Sequence, residues 1–268
     1  MNQGIKPKGK QQSALEKFKA FTAFEPYGRW IRGLVGGETI VDCKETMLLW
    51  RDKYLFAVYC FHKEDVQMEK LRLSKKTRTS HQFGEVIFYD LQANGTTIEN
   101  AAWEYTDPKG EWQDLKGLIM FEWNSMEQWF EESEEVFVHA RDPYHRVDAL
   151  PSSRKVEVKI AGQIVAESDR AMFLFETGLP ARYYLPKEDV RMDLLAPTEL
   201  QTRCPYKGVA SYWSVTVGDQ TFKDIVWGYT DPIEECPKIK DLVCFYNEKV
   251  EAIYVDGVEV AKAKTPWS

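Results

Sequence analysis

From Tyr27 onward, apolar and polar residues alternate in short runs broken by turn residues, the period-two signature of half-buried β-strands. Gly36-Gly37 precedes the run ETIVDCKETMLLW, and Lys53–Phe61 forms a second apolar run. Glu85–Leu91 and Thr96–Tyr105 flank Asn94-Gly95, a dipeptide suited to a two-residue hairpin because both positions must take positive φ. Asn94-Gly95-Thr96 also reads as a glycosylation sequon, but the turn accounts for it better. Ahead of the strands, Ser13 is placed to cap a short helix through about Phe24, with Leu15, Phe18 and Phe21/Phe24 on one face.

The pattern then restarts. Gly162-Gln163-Ile164-Val165-Ala166 repeats the shape of Gly37-Glu38-Thr39-Ile40-Val41. Lys63–Met68 (KEDVQM) returns 124 residues on as Lys187–Met192 (KEDVRM), and Trp103–Pro108 (WEYTDP) returns at the same offset as Trp227–Pro232 (WGYTDP). A constant offset across two six-residue matches indicates a tandem duplication, and two copies are too few for a solenoid or propeller. The predicted fold is mainly β: two tandem antiparallel β domains about a pseudo-twofold axis, with a short N-terminal helix. The boundaries read as a tail and helix over 1–26, a divergent first domain over 27–138, a polar inter-domain segment over 139–154 and a second domain over 155–268. Each copy should close with a hairpin, one turning at Asp256-Gly257 and the other at the acidic tip Glu131–Glu135, read as solvated.

Composition narrows the function classes. With 268 residues and 44% hydrophobic content the chain can bury two ordinary cores. A net charge of −7 disfavours a surface built for nucleic-acid phosphates. Five cysteines without a CxxC pair suit a reducing compartment and lack zinc-site spacing. The segment MNQGIKPKGKQQ has no apolar core for a signal peptide, and no run approaches a bilayer span, so a cytoplasmic protein with no membrane partner is expected. Oligomeric state is not legible. Gly-rich phosphate loops, GxSxG, HExxH and EF-hand patterns are all missing, so neither cofactor nor metal is expected.

Candidate chemistry gathers in two places. The stretch VFVHARDPYHRVDALPSSRK, Val136–Lys155, packs His139 and His145 into seven residues with Arg141 and Tyr144, a mixture that suits a polar clasp or a site wall rather than a plain linker. The second copy holds the denser set. Arg182, Arg191 and Lys207 can grip carboxylate or carbonyl oxygen. Tyr183, Tyr184, Tyr206, Tyr212 and Trp227 supply apolar walls with polar edges. Glu176 and Asp189 are possible bases. Cys204, near Arg203 and Lys207, reads either as a thiolate site or as a packed turn thiol. On an extended backbone Arg182 and Tyr184 share one face and Tyr183 the other. Arg182, Tyr184, Asp189, Lys207, His139 and His145 are the catalytic candidates. Glu176, Tyr183, Arg191, Cys204, Tyr206, Tyr212, Trp227, Arg141 and Tyr144 are the binding candidates.

These segments, FETGLPARYYLPKEDVRMDLL, TRCPYKGVASYW, WGYTDP and FYNEKVEAIYVDGVEV, resemble the bacterial and fungal family catalogued as domain of unknown function 427, and WFEESEEVFVHARDPYHRVDALPSSR resembles its two-copy members. The resemblance covers about residues 29–260. It implies a compact, mainly antiparallel β domain and no established activity. An old label of the family hints at nucleotide transfer, but the Gly-Ser and paired-Asp pattern for Mg²⁺ and triphosphate is not found here. The first copy departs from the family at Trp50-Arg51-Asp52-Lys53 and at Ser80-His81, which places an expected site in the second copy or at the domain junction. The sequence is thus read as a cofactor-independent enzyme on a small organic, carboxylated or polycyclic, substrate. Isomerisation, cyclisation or elimination by acid–base chemistry is the expectation; a non-catalytic small-molecule sensor and a structural interaction protein are the alternatives.

Overall fold

The computed structural model describes residues 22–51 and 56–262. By contact the chain divides between Asp142 and Pro143 into two units, each a pair of antiparallel sheets. In the first unit the strands are β1 (Ala23–Pro26), β2 (Ile31–Val35), β3 (Glu38–Cys43), β4 (Met47–Trp50), β5 (Val58–Phe61), β6 (Leu71–Ser80), β7 (Gly84–Ala93), β8 (Thr96–Tyr105), β9 (Ile119–Phe121), β10 (Gln128–Glu131) and β11 (Glu134–Val136). They form a seven-stranded sheet, β1-β4-β5-β9-β8-β7-β6, and a four-stranded sheet, β11-β10-β2-β3. The second unit repeats this with β12 (Val147–Pro151), β13 (Val156–Ile160), β14 (Gln163–Ser168), β15 (Met172–Glu176), β16 (Arg182–Leu185), β17 (Leu195–Cys204), β18 (Gly208–Val217), β19 (Gln220–Gly228), β20 (Val243–Phe245), β21 (Ala252–Val255) and β22 (Val258–Glu259). Its sheets run β12-β15-β16-β20-β19-β18-β17 and β14-β13-β21-β22.

The hairpins form where the sequence places them. Asn94 and Gly95 take φ of 49° and 74°, and Asp256 and Gly257 take 52° and 75°, the doubly left-handed pair that matches strand twist. Gly36-Gly37 and Ala161-Gly162 turn the same way between β2 and β3 and between β13 and β14.

Three details differ from the sequence reading. The expected N-terminal helix falls mostly outside the described residues, but its end is extended: Ala23 and Phe24 belong to β1, paired with Trp50 and Leu49. The polar segment over 139–154 does not stand apart. Residues 139–142 lie in the first unit, while Val147–Pro151 is the edge strand β12 beside β15. The acidic tip is not wholly solvated either. Glu131 is 4% exposed and accepts hydrogen bonds from the hydroxyls of Tyr27 (2.8 Å) and Tyr59 (2.5 Å), with the Arg29 guanidinium on its other oxygen. Burial, then the charge of Glu131, pushes the Tyr59 hydroxyl well above its ordinary pKa, so it stays a donor. Glu131→Ala orphans these donors and is expected to destabilise the first unit by about 1–3 kcal/mol, read by urea unfolding; Glu131→Gln, which keeps an acceptor, should cost less.

Strand alternation gives each seven-stranded sheet two buried faces. In the second unit Phe173, Leu185, Val226 and Val243 face the four-stranded sheet, while Leu174, Tyr184, Trp227 and Cys244 face the opposite way into a second core. The first unit does the same with Leu48, Phe61 and Ala102 against Leu49, Cys60 and Trp103. Register fixes which residues correspond. Met172 pairs with Tyr184 as Met47 pairs with Cys60, so the offset is 125 before the β4–β5 connection and 124 after it. The first copy carries one residue more in that connection, and Arg51 therefore takes the place of Glu176.

Candidate functional site

The second core of the second unit is where the chemistry-bearing side chains meet. Glu176 ends β15, and its carboxylate is nearly buried, 6% exposed. Its Oε1 accepts from Lys207 Nζ at 2.5 Å and from His145 Nε2 at 3.0 Å. Lys207 comes from the tight turn between β17 and β18, held by the Lys207 N–H to Cys204 carbonyl bond of 3.4 Å. His145, just ahead of β12, stacks on Tyr206 with ring centroids 4.0 Å apart and planes 16° from parallel. Segments far apart in sequence are thus drawn onto one carboxylate.

The electrostatics follow from burial and pairing. Burial pushes the Glu176 carboxyl upward, but the His145 bond and the Lys207 charge outweigh it and hold the group below the usual carboxylate range. Burial lowers Lys207, while Cys204 and Glu176 beside it raise it further, so the ammonium is retained. An ionised Glu176 can only accept, so His145 donates its Nε2–H to the carboxylate and Nδ1 is the ring nitrogen left over. No hydrogen bond to Nδ1 is formed among the described residues.

The same face of the sheet carries a polar-aromatic layer. Arg182 grips Glu248 bidentately at 2.8 and 2.7 Å and lies over the rings of Trp227 and Tyr246. Trp227 Nε1 donates to the Tyr184 hydroxyl at 3.1 Å, and Tyr184 is 1% exposed, its pKa driven well up by burial. Tyr212 shares its hydroxyl with Thr202 at 2.8 Å. Arg182, Tyr184, Tyr212 and Trp227 therefore brace one another, which suits a supporting role better than direct contact with a guest.

The other candidates are placed elsewhere. Asp189 is bonded to Ser168 and Arg170, and Arg191 to Asp193, in a surface ion-pair setting; neither joins the Glu176 group. Tyr183 faces the opposite core, packed edge-on against Phe173, as alternation requires. Tyr144 is 63% exposed. His139 and Arg141 lie in the first unit: His139 stacks on Phe56 at 3.7 Å, and Arg141 reaches Glu134. Among the described residues, no three metal-ligating side chains converge and no helix is long and apolar enough to cross a membrane. All five cysteines are free thiols.

The corresponding core of the first unit is chemically different. Arg51 stands for Glu176, Phe83 for Lys207, Val58 for Arg182, Cys60 for Tyr184 and Phe88 for Tyr212, so the carboxylate centre gives way to a guanidinium over the Trp103 ring in apolar surroundings. Beside it opens a cleft of about 200 Å³ lined by Arg51, Phe56–Tyr59, Trp103, Phe121–Trp123, Trp129 and Val138–Ala140. Gly33 lets Trp129 form its floor, since a Cβ there would come within 2.9 Å of the indole. The residues of this cleft, taken alone, read only as departures from the family pattern. Comparing the copies in register, Cys60 against Tyr184, is the signal that finds it.

No curated protein matches the chain. Residues 23–132 and 148–256 each match the family described as Domain of unknown function (DUF427), and with both copies built alike from a seven- and a four-stranded sheet, the protein belongs to that family as a tandem member.

Proposed function

We propose that the second copy is a proton-transfer centre acting on a small organic substrate, with His145 as the base. The single observation that supports this reading is an imidazole fixed at Nε2 by a buried, ionised carboxylate, with Nδ1 left to exchange a proton. In this role Glu176 orients the ring and stabilises the imidazolium, and Lys207 keeps Glu176 ionised so that it does not compete for the proton. Tyr206 limits the ring's tilt by stacking. The chemistry such a base supplies is removal of a proton beside a carbonyl and its return elsewhere, that is isomerisation, elimination or cyclisation, without cofactor. A non-catalytic sensor is the second reading, favoured by the aromatic cleft of the first copy.

The test is solvent exchange. The protein is incubated in D₂O with a panel of small keto acids, enones and hydroxy acids, and substrate C–H signals are followed by proton NMR. At least one compound should exchange faster than in buffer, and His145→Gln should reduce that rate by about 10²–10⁴-fold, the usual contribution of a positioned base. Exchange that survives His145→Gln, or no protein-dependent exchange across the panel, sinks the proposal. Retained ligand binding without exchange would instead favour the sensor.

A further inference from the structure

The first copy's cleft has a physical origin that the duplication makes legible. In the second copy Arg182, Tyr184 and Tyr246 surround the corresponding indole, Tyr246 lying 4.3 Å from Trp227 ring to ring. Strand register puts Val58, Cys60 and Glu122 at those positions, and Val58 and Glu122 line the cleft. Shortening or removing three side chains around an indole that both copies share leaves a cavity rather than a collapsed core, because close-packed interiors relax only partly.

The exchange also strands a donor. Trp227 Nε1 has the Tyr184 hydroxyl; its counterpart Trp103 is 2% exposed, lines the cleft, and its Nε1 has no acceptor among the described residues. Cys60 turns its thiol toward the Val58 carbonyl at 3.8 Å, and the Tyr105 hydroxyl stands near the indole without completing a hydrogen bond to its N–H. A buried N–H without a protein partner calls for an acceptor from outside the chain, and the cleft beside it gives one room.

We infer that this cleft is a binding site for a flat, conjugated compound of one or two rings carrying a carbonyl oxygen, which takes the Trp103 N–H while its rings lie among Tyr59, Trp123 and Trp129. The size fits, since a cavity of roughly 150 Å³ lined by apolar side chains already admits a benzene ring. Aromatic walls with a few fixed polar groups, here the Trp103 N–H together with Arg51, Glu122 and His139, are the usual construction of a small-molecule site. Tyr59 is itself held rigid by its 2.5 Å bond to Glu131, so the wall is preorganised.

The experiment uses two probes of matched shape, 2-acetylnaphthalene and 2-isopropylnaphthalene, with affinities measured by equilibrium dialysis on the full chain. The ketone should bind about five- to tenfold tighter, the difference made by one hydrogen bond in a dry site. Trp103→Phe should abolish that preference while keeping the binding of the hydrocarbon. Cys60→Tyr, which restores the second copy's hydroxyl acceptor for the indole, should likewise abolish the preference. Should Cys60→Tyr fail to fold, Trp103→Phe alone decides between the two outcomes. The inference is overturned if neither probe saturates the protein, if the two bind equally to the wild type, or if the preference persists in Trp103→Phe.

Discussion

Glu176→Gln is expected to destabilise the second unit by about 3–5 kcal/mol, the range for breaking a buried ion pair from one side. The carboxylate neutralises Lys207, which is 7% exposed, and it holds His145; the amide supplies a dipole where a full charge stood. Lys207 is then left as a buried cation with a weakened partner. Removing both charges should be milder. The double change Glu176→Leu with Lys207→Met should recover much of the loss, because two charges removed together leave nothing unpaired. Urea unfolding followed through the fluorescence of Trp213 and Trp227 reads both variants, and a double variant no more stable than the single would refute the pairing argument.

The same pair sets the pH dependence. Glu176 is held below its unfolded pKa, so its contribution is present above the ordinary carboxylate pKa of about 4.3 and is lost as pH falls through the lower folded value. Lys207 is raised, so its contribution is complete below about 10.4 and is lost as pH rises through the higher folded value. Stability should form a plateau across neutral pH, with an acid limb that Glu176→Leu/Lys207→Met flattens.

What the residues disclosed and what they withheld have physical causes. Turns were legible because Asn94-Gly95 and Asp256-Gly257 meet a stringent backbone demand that few dipeptides satisfy. Alternation put Arg182 and Tyr184 on one face and Tyr183 on the other, and the structure agrees. The meeting of His145, Glu176 and Lys207 was not legible, since it depends on β12 joining the sheet beside β15 and on how the β17–β18 turn curls over it. Asp189 and Arg191 illustrate the converse. Their motif repeats between the copies, but it marks a short turn after β16 whose charges pair locally. Glu131 was misjudged because four of its neighbours up to Glu135 are polar, while its own position alternates inward on β10. The offset change from 125 to 124, carried by a single residue, hid the replacement of Glu176 by Arg51.

Arg182→Met should lower the stability of the second unit by about 3 kcal/mol or more, although both residues are long and unbranched. The guanidinium makes two parallel bonds to Glu248, whose side chain is 4% exposed, and it rests against Trp227 and Tyr246. Methionine replaces the packing volume but not the fork, so a buried carboxylate loses its principal counter-charge. Arg182→Lys should recover only part of the loss, because a single ammonium cannot reproduce two coplanar bonds. The first copy supplies the natural comparison: there Val58 and Asn124 stand at the two positions, both charges gone at once. Introducing that pair as Arg182→Val with Glu248→Asn should therefore be less destabilising than the sum of its two single changes, a positive coupling of about 1–3 kcal/mol in a double-mutant cycle. Additive losses would mean that the pair contributes through packing alone, and the braced layer would then be an apolar core that happens to carry charge.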